Sequence, residues 1–240
     1  MSTPTTNTTN KSNNVEVEIK VLLGSKPKAD KLVNQIQSLQ YSQTSENNQL
    51  NHYFVGDNYE AIKNMDSRYF VDSNSYAKLL NIIDSNSQFS LRTRRLNDQI
   101  NDQTFLVIKA SLNDTTASNG TVRMEFEEEV NLSLDQLDNL LLSYGFQYQA
   151  KWSRSRQEFQ SPQSDIKICL DCNAGYGYLA EFESIITTDK DHNLIKIAIL
   201  KLIHSLNLEE LDQHKLAKMF DYYNANWRDY YGTKKVFEIN

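Results

Sequence analysis

Apolar and charged positions alternate one for one through residues 15–21, Val-Glu-Val-Glu-Ile-Lys-Val. Val15, Val17, Ile19 and Val21 fall on one side, Glu16, Glu18 and Lys20 on the other. Period-two alternation rich in β-branched residues predicts a strand with one buried face. The charges on the other face stand about 7 Å apart. A charged outer face is ordinary for an antiparallel sheet with one side in water, so this heptapeptide alone decides little. The pattern recurs, however. Strands are predicted over 88–95 (with Leu-Arg-Thr-Arg-Arg), 103–110 (ending Ile-Lys-Ala), 121–130 (with Arg-Met-Glu-Phe-Glu-Glu-Glu) and 148–160 (with Lys-Trp-Ser-Arg-Ser-Arg). Two more follow over 165–172 and 178–186, and 48–55 adds one without a charged row.

Helical spacing appears elsewhere. Gly24 and Ser25 end the first strand, Pro27 suits a first helical turn, and Ala29, Leu32, Val33, Ile36 and Leu39 keep a helical period. Further helices are expected over 134–143, 194–206 and roughly 208–227. The stretch 56–87 is polar and irregular around a helical piece near 76–83, and reads as an excursion from the sheet. Polar turns are expected at 113–120 and 173–177, and residues 1–14, all Ser, Thr, Asn and the like, as a disordered tail.

Collecting the charged faces changes the picture. They carry Glu16, Glu18 and Lys20; Arg92 and Arg94; Lys109; Arg123, Glu125 and Glu127; Arg154 and Arg156; Asp171; and Glu181 and Glu183. A merely solvated sheet face mixes in Ser, Thr, Gln and Lys, whereas this one is dense in Arg and Glu and backed by apolar residues that helices could cover. The architecture that satisfies both faces is α+β: about eight antiparallel strands closed into a barrel, charged within and apolar without, with helices packed outside. Charges enclosed in this way must pair with one another or with a polyanion and its metals, because a desolvated ion costs several kcal/mol.

Composition narrows the class. The chain has 240 residues, 39% hydrophobic, with a formal net charge of -6. An acidic balance argues against bulk nucleic-acid binding, which wants a basic stripe, yet permits a locally basic cavity. Cys169 and Cys172 lie three apart in a predicted strand and so point to opposite faces; they are expected to be packing thiols rather than a zinc or redox pair. Few cysteines, no apolar run that spans a bilayer and no signal-like start are what a soluble cytoplasmic protein shows. His52, His192, His204 and His214 are scattered, and no nucleophilic Ser, Cys or His arrangement stands out.

At this point several motifs fall in order. Glu16-x-Glu18-x-Lys20 resembles the E-x-E-x-K signature of the CYTH domain, the fold of the triphosphate tunnel metalloenzymes. Arg92-x-Arg94, the strand-closing Lys109, Arg123-x-Glu125-x-Glu127, Arg154-x-Arg156, and Asp171 followed by Gly175-x-Gly177 and Glu181-x-Glu183 are similar to its further elements. The resemblance covers about 15–186 and places 15–240 in one domain; the stretch 56–87 is longer than the connection expected there. It implies a metal-dependent triphosphatase acting on inorganic triphosphate, thiamine triphosphate or a nucleoside triphosphate. It also implies an alternative, an adenylyl cyclase making cyclic AMP and pyrophosphate. A non-catalytic binder of polyphosphate or nucleotide would keep the bases but lose metal ligands.

The residue types suit that chemistry. Arg offers a planar fork to two phosphate oxygens and Lys a point charge, so Lys20, Arg92, Arg94, Lys109, Arg123, Arg154 and Arg156 are the expected phosphate cradle. Carboxylates on facing strands suit a hard cation, Mg²⁺ or Mn²⁺. Glu16, Glu18, Glu181 and Glu183 are the first choice of ligands, and Glu125, Glu127 and Asp171 the second. Glu16, Glu18 and Lys20 are the expected catalytic group. The expected partner is a small triphosphate, with neither nucleic acid nor membrane, and a homodimer is admitted as an assembly.

Overall fold

In a computed structural model of the chain, residues 14–84, 89–98, 100–111, 121–187 and 191–238 are described. The chain runs through strand β1 (Asn14–Gly24), helix α1 (Lys26–Ser38), β2 (Ser42–Val55), the short α2 (Tyr59–Ile62) and α3 (Ser75–Asp84). It continues through β3 (Phe89–Asn97), β4 (Asp102–Ser111), β5 (Thr121–Val130), α4 (Leu134–Ser143), β6 (Gln147–Ser161), β7 (Ser164–Asn173) and β8 (Gly177–Thr187), and ends in α5 (His192–Ser205) and α6 (Gln213–Tyr230). The strands close in the order β1-β5-β4-β3-β2-β6-β7-β8, each pair antiparallel. The expected closed barrel is the observed one. The expected tail and the 113–120 turn lie outside the described residues, apart from Asn14, which opens β1.

The outer surface is apolar and covered, as the alternation requires. Val15, Val17, Ile19, Val21 and Leu23 of β1 pack with Ile168 and Phe182 against Leu32 and Ile36 of α1 and Ile199 and Ile203 of α5. A second cluster covers β3, β4 and β5. There Leu91, Leu106, Ile108 and Phe126 meet Leu137 and Leu141 of α4 and, from the excursion, Ile62, Met65, Phe70, Leu79 and Ile82. The excursion therefore has a role the sequence left open: it roofs the outer face of three strands. Its loose periodicity hid this because its apolar residues come from short, separate turns. Helix α4 starts at a reciprocal cap, Ser133 Oγ accepting from the Gln136 N–H and Gln136 Oε1 from the Ser133 N–H.

Two elements depart from expectation. β2 begins at Ser42, six residues earlier than the alternation shows, because 42–47 is polar throughout and gains its strand from pairing with β6. Helix α6 starts at Gln213, capped by Asp212, and it does not lie on the outer wall. Its Met219 and Tyr223 close one end of the barrel with Ala150, Trp152, Tyr176 and Leu179. Trp152 stacks on Tyr223 at 3.6 Å between ring centroids. Around the β7–β8 turn two positions leave no room for a side chain. A Cβ on Gly177 would sit 2.3 Å from the Gly24 carbonyl, and one on Gly175 would meet the Tyr223 ring at 2.7 Å; both have φ in the left-handed region. This is why that turn carries two glycines.

Candidate active site inside the barrel

Side chains two apart on a strand share a face, so each strand delivers a row to the interior. Together the rows line a cavity of about 1290 Å³. β1 contributes Glu16, Glu18 and Lys20, β3 Arg92 and Arg94, β4 Lys109, β5 Glu125 and Glu127, β6 Arg154 and Arg156, and β8 Glu181 and Glu183. Asp171 of β7 is fully buried beneath the β6 arginines. Of the cradle expected from the sequence, only Arg123 cannot be followed; its backbone stands opposite Glu16, and its side chain lies outside the described residues. The sequence reading missed Lys167 and Glu158, which line the same cavity. Both were legible by parity, four residues before Asp171 and two after Arg156. It also missed Gln49, Asn51 and Tyr53 of β2, because neutral amides give no charge signal.

Strand order sorts these rows by sign. β2 lies four places around the ring from β1, and its neighbours are β3 and β6. The four arginines that line the cavity among the described residues, Arg92, Arg94, Arg154 and Arg156, therefore share one wall with the β2 amides. The neighbours of β1 are β5 and β8, so the paired glutamates of these three strands share the facing wall.

Ion pairs link the walls. Lys109 Nζ lies 2.7 Å from Glu16 and 3.2 Å from Glu125. Lys20 touches Glu18 and lies 3.2 Å from Glu181. Asp171 accepts from Arg154 Nη1 at 2.6 Å and from Arg156 Nε and Nη2, both at 2.7 Å. Arg156 also bonds to Glu181, and Arg94 to Glu127. Lys167 lies 2.6 Å from Glu183.

The electrostatics of each group follow from its partners. Burial opposes ionisation of Glu181, but Lys20, Arg156 and Arg154 outweigh it and hold that carboxyl well below the usual range. Burial likewise opposes ionisation of Glu127, yet Arg94 and Arg92 draw it down to about 2. Glu183 goes the other way, raised by burial and by Glu16. Arg94 is pushed down by burial and by Arg92, with Arg154 and Arg156 adding to the crowding, and only Glu127 relieves it. Arg92 Nε is buried without a hydrogen-bond partner. A wall of crowded guanidiniums with an orphaned donor is under-supplied with anionic acceptors.

The Glu127 shift makes a pH prediction. Its folded value lies below its ordinary 4.5, so the unfolded chain binds more protons in that window. Its contribution to stability is complete above pH 4.5 and is lost as pH falls toward 2, up to about 3 kcal/mol. Urea denaturation from pH 5 to 2.5 should show a steeper loss in the wild type than in Glu127→Gln; equal slopes would remove the Arg94–Glu127 pair as the cause.

The acidic residues divide by what they face. Carboxylate oxygens of Glu16, Glu18 and Glu183 lie within 4.8 Å of one another, an arrangement able to share one cation. Glu181 belongs to the other group with Asp171 and Glu127, each bonded to arginine, and Glu125 leans on Lys109. The histidines do not line this cavity among the described residues. His52, on the outer side of β2, bonds through Nδ1 to Asp138 at 2.6 Å and through Nε2 to the Tyr231 hydroxyl at 2.7 Å. Cys169 and Cys172 are unbridged, Cys169 buried on the inward row of β7. No helix among the described residues is long and apolar enough to cross a membrane.

An eight-stranded antiparallel ring with ionic side chains inside and helices around it is the architecture that the resemblance of the motifs to the CYTH domain implies. Solved structures share this fold. The PH1012 protein from Pyrococcus horikoshii OT3 is 18% identical, with a TM-score of 0.58, over 81% of this chain and 91% of that one. A candidate adenylate cyclase from Vibrio parahaemolyticus is 17% identical, TM-score 0.51, over 84% of this chain and 97% of its own. A chain in the Schizosaccharomyces pombe Mediator head module is 8% identical, TM-score 0.51, over 82% and 97%. No family model matches the chain, and no curated protein does. One fold spanning such different contexts leaves function to be argued from the site.

Proposed function

We propose that this protein is a divalent-metal-dependent triphosphatase that hydrolyses a small triphosphate inside the barrel. The observation that carries the reading is the division of one enclosed cavity into an arginine wall and a glutamate wall. A triphosphate is a linear polyanion, and the arginine wall offers it successive forked donors. Glu16, Glu18 and Glu183 are all hard oxygen donors and suit Mg²⁺ or Mn²⁺. Such an ion supplies Lewis-acid neutralisation of phosphate oxygens and a polarised water.

The chain's own residues do the rest. Arg94 and Arg154 donate to phosphate oxygens from the basic wall. Lys20 and Lys109 stand among the glutamates and keep that wall from repelling the substrate. Hydrolysis at a terminal phosphoryl group needs mostly positioning and charge stabilisation, which agrees with a cavity lined by ionic side chains.

Incubation with inorganic triphosphate and with ATP, each with Mg²⁺ or Mn²⁺, is the direct test. Orthophosphate release is expected. Cyclic AMP with pyrophosphate would replace hydrolysis by cyclase chemistry, and tight binding without turnover would make the protein a binder. Arg94→Ala should weaken triphosphate binding by roughly 1.5–3 kcal/mol, the worth of a charge-assisted hydrogen bond. Calorimetric titration of the folded variant measures this, and unchanged affinity would remove Arg94 from the cradle.

A further inference from the structure

The strand with no charge in its inward row lies between the two that carry the arginines. β2 faces the cavity with Gln49, Asn51 and Tyr53, and Asn47 precedes them on the same row of the strand. Asn47 is 6% exposed, and Gln49 and Asn51 are each 3% exposed. Buried amides must be hydrogen-bonded, and these have specific partners. Arg94 Nε donates to Asn51 Oδ1 at 2.9 Å, and Arg154 Nε donates to Gln49 Oε1 at 2.8 Å. Gln49 Nε2 in turn donates to Asn47 Oδ1 at 3.0 Å, which fixes which way the Gln49 amide points.

We propose that Gln49 and Asn51 are positioning residues that hold the Arg154 and Arg94 guanidiniums by their Nε edges without neutralising them, so that both keep their charge for a polyphosphate. This rests on the function proposed above and names the β2 amides as what keeps its cradle cationic.

The physical reason lies in the choice of acceptor. A carboxylate at either position would hold the Nε edge equally well, and more tightly. It would also cancel the charge that the ligand needs. Within the same cavity Arg156 illustrates that outcome: Asp171 grips it through Nε and Nη2, and Glu181 takes Nη2 as well. Arg94 has an amide on Nε and Glu127 on Nη1, and Arg154 has an amide on Nε and Asp171 on Nη1, with Glu181 3.8 Å from the same nitrogen; Nη2 of both is left without a hydrogen bond among the described residues. Those Nη2 groups are the donors available to an anion. Arg94 is the guanidinium that its arginine neighbours crowd, with Glu127 on Nη1 and the neutral Asn51 on Nε.

The test is a nearly isosteric charge change. Gln49→Glu keeps the acceptor for Arg154 and adds an anion. Binding of inorganic triphosphate, followed calorimetrically in EDTA and again with Mg²⁺, should weaken about 10- to 100-fold, the scale of one close charge pair at intermediate dielectric. Thermal stability should change little, because Arg154 gains a salt bridge while Asn47 loses the donor that Gln49 Nε2 supplied. A merely structural role moves both quantities down together, and would make Gln49→Met the more damaging change for binding. In turnover, KM should rise with kcat little altered. Asn51→Asp repeats the experiment at Arg94 should the first variant fold poorly. If the wild type binds triphosphate and both charged variants bind it equally well, this inference is overturned while the proposed function stands. If the wild type binds none, the proposed function falls and takes this with it.

Discussion

Replacing Glu18 by glutamine is expected to lower metal-dependent triphosphate turnover at least about 100-fold while leaving the barrel folded. Glu18 sits with Glu16 and Glu183 in the one carboxylate cluster among the described residues whose oxygens converge within 4.8 Å. Glutamine keeps the shape and one neutral oxygen but removes an anionic ligand. Loss of a group that merely supports a metal ligand already costs about 10- to 100-fold, and a ligand should cost no less. Stability offers an independent readout. In EDTA the loss of repulsion from Glu16 and Glu183 is set against the loss of the Lys20 contact, so Glu18→Gln should melt close to the wild-type temperature. Raising Mn²⁺ should recover part of the lost rate, because the lesion is in metal affinity. Wild-type activity at ordinary metal concentrations would eliminate this cluster as the metal site.

Asp171→Ala is expected to be the most destabilising change in the cavity. Asp171 is fully buried and takes three hydrogen bonds from Arg154 and Arg156. Its removal leaves two enclosed guanidiniums with Glu181 as their shared counter-ion. Breaking a buried pair in this way costs about 3–5 kcal/mol, a large share of the roughly 5–15 kcal/mol that holds a domain together. Urea denaturation measures it. Triphosphate should restore more stability to this variant than to the wild type, because it supplies the missing anionic acceptors as well as binding energy. A denaturation midpoint equal to that of the wild type would show that Asp171 carries little of the arginine charge.

The two carboxylates of Glu181-x-Glu183 show where the sequence stops being informative. Both were expected as metal ligands, on identical grounds. Only Glu183 reaches Glu16 and Glu18. Glu181 stands opposite Lys20 in the β1–β8 register and within reach of Arg156, two strands away across β7. Spacing along one strand cannot distinguish these fates, since each is set by what a different strand places across the gap. The amides of β2 were illegible for a related reason. A neutral residue enclosed among arginines reads, in sequence, like any polar residue facing water.

What the sequence determined by itself was local and periodic: which residues share a face, where α4 starts and ends, that one face of nearly every strand was ionic and its reverse apolar, and hence a ring with its charges inside. These follow from backbone geometry, which repeats every two or 3.6 residues whatever the neighbours. Only the tertiary structure decided the order of strands around the ring, and with it the sorting of the described cavity-lining arginines to one wall and the paired glutamates to the other, which acids converge on one another and which face arginine, and the closure of one end by α6. Each of those is a pairing between segments far apart in the chain, fixed by register and by side chains meeting across the cavity.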